Sequence, residues 1–151
     1  MSYDNYPNRE GNRIYLFKSS ELGNWAILIC YDYLHLPFQV LLQSKIQTLF
    51  VIAYNTDINY YLSLSDSLHQ ILFCNIVVCN IGNIGGSHPY SSFREQNKRN
   101  VYQVIGNQID AAVTIELPIK SIYDDQNNLR PPDAKPTFIQ KSPDLWKKIF
   151  V

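Results

Sequence analysis

Three continuous apolar runs constrain this chain more than any other feature: WAILIC at residues 25–30, TLFVIA at 48–53 and IVVC at 76–79. None alternates apolar with polar residues, so none reads as a strand with one wet face. Such runs suit strands covered on both sides, as in parallel sheets. Two segments with helical spacing lie between them. Pro37 fits the first turn of a helix, where its missing N–H costs nothing. Phe38, Leu41 and Leu42 follow at i, i+3 and i+4 and give that helix one apolar stripe. Over 60–74, Tyr61, Leu64, Leu68, Ile71 and Leu72 share a helical face, with Ser63, Asp66 and Gln70 opposite. The order β-α-β-α-β, with strands roughly 20 to 26 residues apart, is what parallel strands joined by helical crossovers require. The fold class is therefore α/β.

The flanks differ in character. IYLF at 14–17 reads as a short strand, and GNIGG at 82–86 as a flexible turn. VYQVI at 101–105 and AAVTIELPI at 111–119 read as strands joined through Gly106 and Asn107, antiparallel, closing or extending the sheet. From Asp124 the chain is polar and proline-rich (Pro131, Pro132, Pro136, Pro143), which predicts an extended tail ending in a short helix capped by Ser142. The expected division is 1–123 for the folded part and 124–151 for the tail. Two helices can cover only one face of the sheet well, so a larger domain or another subunit is expected to cover the rest.

Composition narrows the function classes. Of 151 residues, 46 % are apolar and 17 % charged, the balance of a globular chain. The 13 basic and 13 acidic residues cancel, so nothing calls for nucleic acid or an anionic membrane as partner. The basic cluster REQNKR at 94–99 is interrupted by Glu95 and reads as a solvated loop. No run approaches the roughly 18 to 20 apolar residues of a membrane span, and the polar start MSYDNYPNREGN is unlike a signal peptide. Three cysteines (Cys30, Cys74, Cys79) form an odd count without metal-ligand spacing. Cys74 and Cys79 sit inside apolar runs as small hydrophobes, which suits a reducing, cytoplasmic location. His35 reads as an exposed loop residue, His69 as a partly exposed flank of the second helix, and His88 as a loop residue that could border a pocket. Scattered in this way they predict no metal site, and nothing in the sequence calls for a cofactor.

Chemistry points to Cys30. In open α/β sheets, sites form at the carboxyl ends of the strands. Cys30 is the last residue of such a strand, just before a turn into a helix whose positive end favours a thiolate. Position alone leaves two readings open, an activated nucleophile or a buried cysteine that ends a strand. Tyr54, Asn55 and Asn80 stand at or just after later strand ends, where they either line a pocket or form turns.

The pattern Ile29-Cys30-Tyr31-Asp32, a proline five residues after Asp32, and an apolar strand about 20 residues later resembles the nitrilase (carbon–nitrogen hydrolase) superfamily. In the turn Leu34-His35-Leu36-Pro37, His35 stands where arginine is common in that family. The resemblance extends over roughly residues 13 to 120. Residues 18–23 look like the hairpin turn before the cysteine strand, 48–55 like the strand ending at an asparagine, 76–87 like the strand with its asparagine and glycine-serine turn, and 111–117 like the late strand.

The resemblance implies part of an α-β-β-α sandwich with a mixed sheet and helices on its outer face. It also implies hydrolysis of a small amide or nitrile. Cys30 would form a covalent thioester or thioimidate that water resolves, and the Tyr31 backbone N–H would donate to the oxyanion. Asp32 would hold the turn. Family enzymes pair the cysteine with a glutamate base and a lysine that precede it by longer stretches than the 29 residues here. The chain thus looks like the C-terminal half of the domain, completed by an upstream half or working as a homo-oligomer. The alternative is a non-catalytic or regulatory nitrilase-like module of a larger protein, since such domains are also fused to other enzymes, including some bacterial defence reverse transcriptases.

Overall fold

A computed structural model describes residues 11, 13–100, 102–106, 112–129 and 137–138. The three apolar runs form the middle of a five-stranded mixed sheet in simple sequence order. β1 (Phe17–Ser19) pairs antiparallel with β2 (Gly23–Ile29), Phe17 opposite Trp25. β2 and β3 (Thr48–Ala53) run parallel, as do β3 and β4 (Asn75–Asn80), with Ile29, Ile52 and Cys79 in register. β5 (His88–Tyr90) closes the far edge antiparallel to β4.

The crossovers are α1 (Leu36–Leu42), with Pro37 in its first turn, and α2 (Ile58–Leu72). Asp57 caps α2, its carboxylate accepting from the Tyr60 N–H at 3.0 Å. Phe73 ends the helix in the left-handed region at φ 52°. Consecutive right-handed crossovers in one direction place both helices on the same face of the sheet. That face carries the core: Ala26, Leu28, Leu49, Val51, Ile76 and Val78 are at most 3 % exposed and pack with Leu42, Tyr61, Leu68 and Leu72.

Among the described residues the other face is largely open. Ile27, Ile29 and Ile52 are 38 %, 62 % and 51 % exposed, and Cys79 is exposed beside them. The runs were expected to be covered on both faces; in this chain alternate side chains of the same strands meet solvent. Cys79 is correspondingly not the buried hydrophobe its run suggested.

The second half departs further from expectation. The described parts of 101–105 and 111–119 hold no strand. Instead α3 (Ile119–Gln126) begins after Pro118. A proline cannot donate to a sheet but suits a helix start, and Ile119, Ile122 and Gln126 then recur at helical spacing. α3 crosses residue 124, where the extended tail was expected to begin; the Ser142–Pro143 helix lies outside the described residues. The IYLF strand is shifted to Phe17–Ser19, and β5 was not anticipated, being three residues with a proline that only an edge strand tolerates.

α3 closes the amino end of the sheet. The Gln126 Nε2 donates to the carbonyls of Ile46 (2.9 Å) and Phe73 (2.8 Å), and the Gln47 Nε2 donates to the Gln126 Oε1. Gln47 also receives the Asn24 N–H at 2.7 Å. Two buried glutamines thus tie three loops together at the end opposite the strands' carboxyl termini. Ile122, Phe73, Phe93 and Phe138 form a second small core beneath them.

Candidate active site

Cys30 leaves β2 with φ 48°, a left-handed conformation that L-residues other than glycine seldom adopt. It costs on the order of 1–2 kcal/mol at a residue with a side chain, so the surroundings must hold it. A 3₁₀ turn from Cys30 to Leu34 follows. The Asp32 Oδ2 accepts from the Ile29 N–H at 3.4 Å, which is the turn-holding role expected of Asp32. Beneath the turn, the Tyr61 hydroxyl donates to the Cys30 carbonyl at 2.9 Å and stands 4.0 Å from its Sγ. Burial, and then the Cys30 thiol, push Tyr61 up to about 12, so it stays a proton donor at any neutral pH. The Cys30 Sγ itself points at the Tyr54 carbonyl, 4.0 Å away, and Cys30 remains partly exposed.

The strand ends expected to gather around Cys30 do so in part. Tyr54 contributes its carbonyl, while its ring is 69 % exposed and builds no wall. Asn55 and Asn80 act on each other. The Asn55 N–H donates to the Asn80 Oδ1 at 2.9 Å, and the Asn80 Nδ2 donates to the carbonyls of Asn55 (2.8 Å) and Gly85 (2.6 Å). Asn80 thereby binds the β3 and β4 ends together, and the Asn55 Oδ1 accepts from the Asp57 N–H at the start of α2. Asn55 serves the turn-forming role, whereas Asn80 both ties the strand ends together and lines the neighbouring cavity. The Tyr31 side chain is 80 % exposed, and the Cys30 and Tyr31 N–H groups open the 3₁₀ turn, where a turn's own hydrogen bonding provides no acceptor.

Asn80 lines a cavity of about 400 Å³ together with Val77, Cys79, Gly85, Ser87, His88 and Tyr102, among others. Cys30 does not line it. Nor does Cys30 line a second cavity at the β2 edge, which takes in Ile29 and Asp32. The thiol stands on an open ledge where the bare face of the sheet meets the strand ends.

Two histidines lie where the sequence did not place them. His69 is fully buried rather than partly exposed; its Nδ1 donates to the Ser65 carbonyl at 3.1 Å, and its ring tilts against Tyr90. The α2 face is rotated accordingly: Ser65 and His69 point inward and Ile71 is 49 % exposed. His88 does border the cavity, but from within β5, at 1 % exposure. Burial lowers both histidines from their ordinary value. Helical periodicity alone favoured the leucine stripe, and only the pairing of Ser65 with other buried polar groups, invisible in sequence, explains the rotation. Tyr61 is the site residue that the sequence assigned to packing alone.

Among the described residues, no His/Cys/Asp/Glu group could hold a metal ion, and no helix is long and apolar enough to cross a membrane. The basic cluster at 94–99 folds on itself: Lys98 pairs with Glu95 at 2.8 Å, and Arg99 donates to the carbonyls of Phe93 and Arg94.

No protein-family model and no curated protein matches the chain. Among solved structures, the fold is similar to a CN-hydrolase superfamily protein of Xanthomonas campestris whose active site carries an arsenic adduct. The TM-score is 0.60 at 11 % identity, over 80 % of this chain and 49 % of that one. The mixed sheet with its helices is thus a CN-hydrolase-like fold, and the chain spans about half the length of that structure.

Proposed function

We propose that this chain carries the cysteine half of a carbon–nitrogen hydrolase site. The observation that carries the reading is the backbone of Cys30: a non-glycine residue held at positive φ on a strand end, thiol outward, in a fold of CN-hydrolase type. Cys30 Sγ attacks the carbon of a small amide or nitrile. From an amide the amine leaves with a proton and a thioester forms; a nitrile gives a thioimidate, which takes up water and loses ammonia to reach the same thioester, and a further water then releases the acid. The N–H groups of Cys30 and Tyr31 face the developing oxyanion. Asn55 and Asn80 hold the ledge on which the substrate rests, and the Tyr54 carbonyl faces the thiol.

Proton transfer in this scheme needs a base. Among the described residues no carboxylate or amine hydrogen-bonds to the Cys30 Sγ. The glutamate and lysine implied by the family resemblance would come from the layer that covers the bare face of Ile27, Ile29 and Ile52, completing an α-β-β-α sandwich. Two facts support that reading: parallel strands are found covered on both faces, and the chain spans only half of the structure it matches. The same lack of a base supports a second reading, a nitrilase-like module that binds or assembles without turnover.

An activated ester tests the nucleophile without requiring the base. Incubated with p-nitrophenyl acetate, the protein should acquire one acetyl group, located on Cys30 by peptide mass spectrometry. The Cys30→Ala variant should acquire none. Acetylation spread equally over Cys30 and Cys79 would overturn the proposal.

A further inference from the structure

The strain at Cys30 raises the question of what holds it, and a buried chain of three side chains answers. Tyr33 lies three residues after Cys30, in the same turn, and is fully buried. Its hydroxyl is 3.0 Å from the Ser65 Oγ, itself fully buried on α2. The Ser65 Oγ is in turn 2.9 Å from the His88 Nε2, and the His88 Nδ1 is 2.8 Å from the Gly86 carbonyl.

The direction of every proton in this chain follows from its last member. A carbonyl only accepts, so the His88 Nδ1 carries the hydrogen. Burial keeps the imidazole neutral, so its Nε2 is bare and must accept. Ser65 therefore donates to His88, and Tyr33, whose own ionisation burial opposes, donates to Ser65. No member can be reoriented without leaving a buried polar atom unpaired.

The chain is anchored at both ends. Gly86 sits at φ 86°, and a Cβ there would meet the Ile58 side chain at 2.7 Å, so the 85–87 loop rests directly on the start of α2. The same loop is tied to the β4 end, since the Asn80 N–H donates to the Ser87 Oγ at 2.9 Å. On α2, Ser65 stands one helical turn beyond Tyr61. One helix face thus grips the cysteine turn twice, at the Cys30 carbonyl through Tyr61 and at Tyr33 through Ser65, while the two tyrosine rings pack 5.6 Å apart.

We propose that Ser65, fixed by His88, is a positioning residue that holds Tyr33 and through it the left-handed turn presenting the Cys30 thiol. This rests on the reading of Cys30 as nucleophile. It adds that the presentation of the thiol depends on a buried polar chain reaching the fourth and fifth strands.

The test is the rate at which iodoacetamide alkylates each cysteine of the full chain under native conditions, resolved by peptide mass spectrometry. Tyr33→Phe, which removes one oxygen, and Ser65→Ala should each slow alkylation of Cys30 threefold or more. The double variant should be no slower than either single one, because the chain acts as a unit. Cys79 should react as in the wild type, and Cys74 should stay protected, reporting an intact core. Cys30 rates unchanged in both variants, with Cys74 protected, would overturn the proposal. If Ser65→Ala exposes Cys74, Tyr33→Phe alone decides. The ratio of variant to wild type at Cys30 judges positioning, whereas Cys30 against Cys79 in the wild type judges the nucleophile itself.

Discussion

The two faces of the central sheet are built from alternate residues of the same three strands, yet they live in different environments. Ala26, Leu28, Leu49, Val51, Ile76 and Val78 sit in a closed core beneath α1 and α2. Ile27, Ile29, Phe50, Ile52, Val77 and Cys79 have equally apolar chemistry on the opposite face, where Ile27, Ile29, Ile52 and Cys79 are exposed among the described residues. The strand order is sequential, and successive crossovers of one hand send both helices to one side. Alternate apolar residues of one strand are thus closely packed on one face and more exposed on the other. The layer proposed above would cover that second face, and Cys30 follows directly on the carboxyl end of β2.

Substitution on the two faces should break the symmetry most visibly. Leu49→Ala on the covered face should cost about 2–5 kcal/mol in urea unfolding, the range for a buried leucine truncation. Ile52→Ala, three positions along the same strand and on the opposite side of the alternation, should cost under about 1 kcal/mol in the chain by itself. Equal losses would mean that the bare face is already covered, for example in a homodimer.

The amino end of the sheet sharpens the contrast next. Gln126→Leu would strand the carbonyls of Ile46 and Phe73 and the Gln47 amide in a buried site. A loss of about 1–3 kcal/mol is expected, the cost of unpaired buried polar groups, measured again by urea unfolding and with Cys30 reactivity untouched. The two ends of the sheet would then be separable, one a structural lock and the other a site.

Acid should weaken the covered side selectively. His69 and His88 are both lowered by burial from 6.5, so the unfolded chain binds their protons more readily. Their contribution is fully present above about 6.5, and stability should fall as the pH drops below that value toward their folded pKa values. His88→Gln should reduce the slope of unfolding free energy against pH between 6.5 and 5. An unchanged slope would contradict buried neutral His88.

The smallest effect expected is at the strained residue. Cys30→Gly relieves the left-handed backbone but adds freedom to the unfolded chain, a net stabilisation of up to about 1 kcal/mol. Most substitutions destabilise, so a rise in the unfolding midpoint here would identify strain kept for chemistry.

Much of this was legible in sequence because parallel strands and crossover helices announce themselves through period. The runs at 25–30, 48–53 and 76–79 and the helix opened by Pro37 needed only apolar spacing. The resemblance around Cys30 likewise needed only a short local pattern. What stayed hidden depended on pairing at a distance. Ser65 and His69 point inward because Tyr33, His88 and backbone carbonyls meet them from other elements. α3 was masked because its apolar residues follow a strand-like run and only Pro118 marks the change. Asn55 and Asn80 were seen as strand-end residues, but that they bind each other required the register of β3 against β4.

The proposed role of Cys30 as a presented nucleophile sets it apart from Cys74 and Cys79. Competitive alkylation of the native wild-type chain by iodoacetamide tests it most directly. Cys74 is fully buried, and Cys79, although the residue is exposed, has its thiol raised by desolvation, so both should lag. The account predicts that Cys30 is modified at least about tenfold faster than Cys79 and that Cys74 reacts only on unfolding. Equal rates at Cys30 and Cys79 would contradict it.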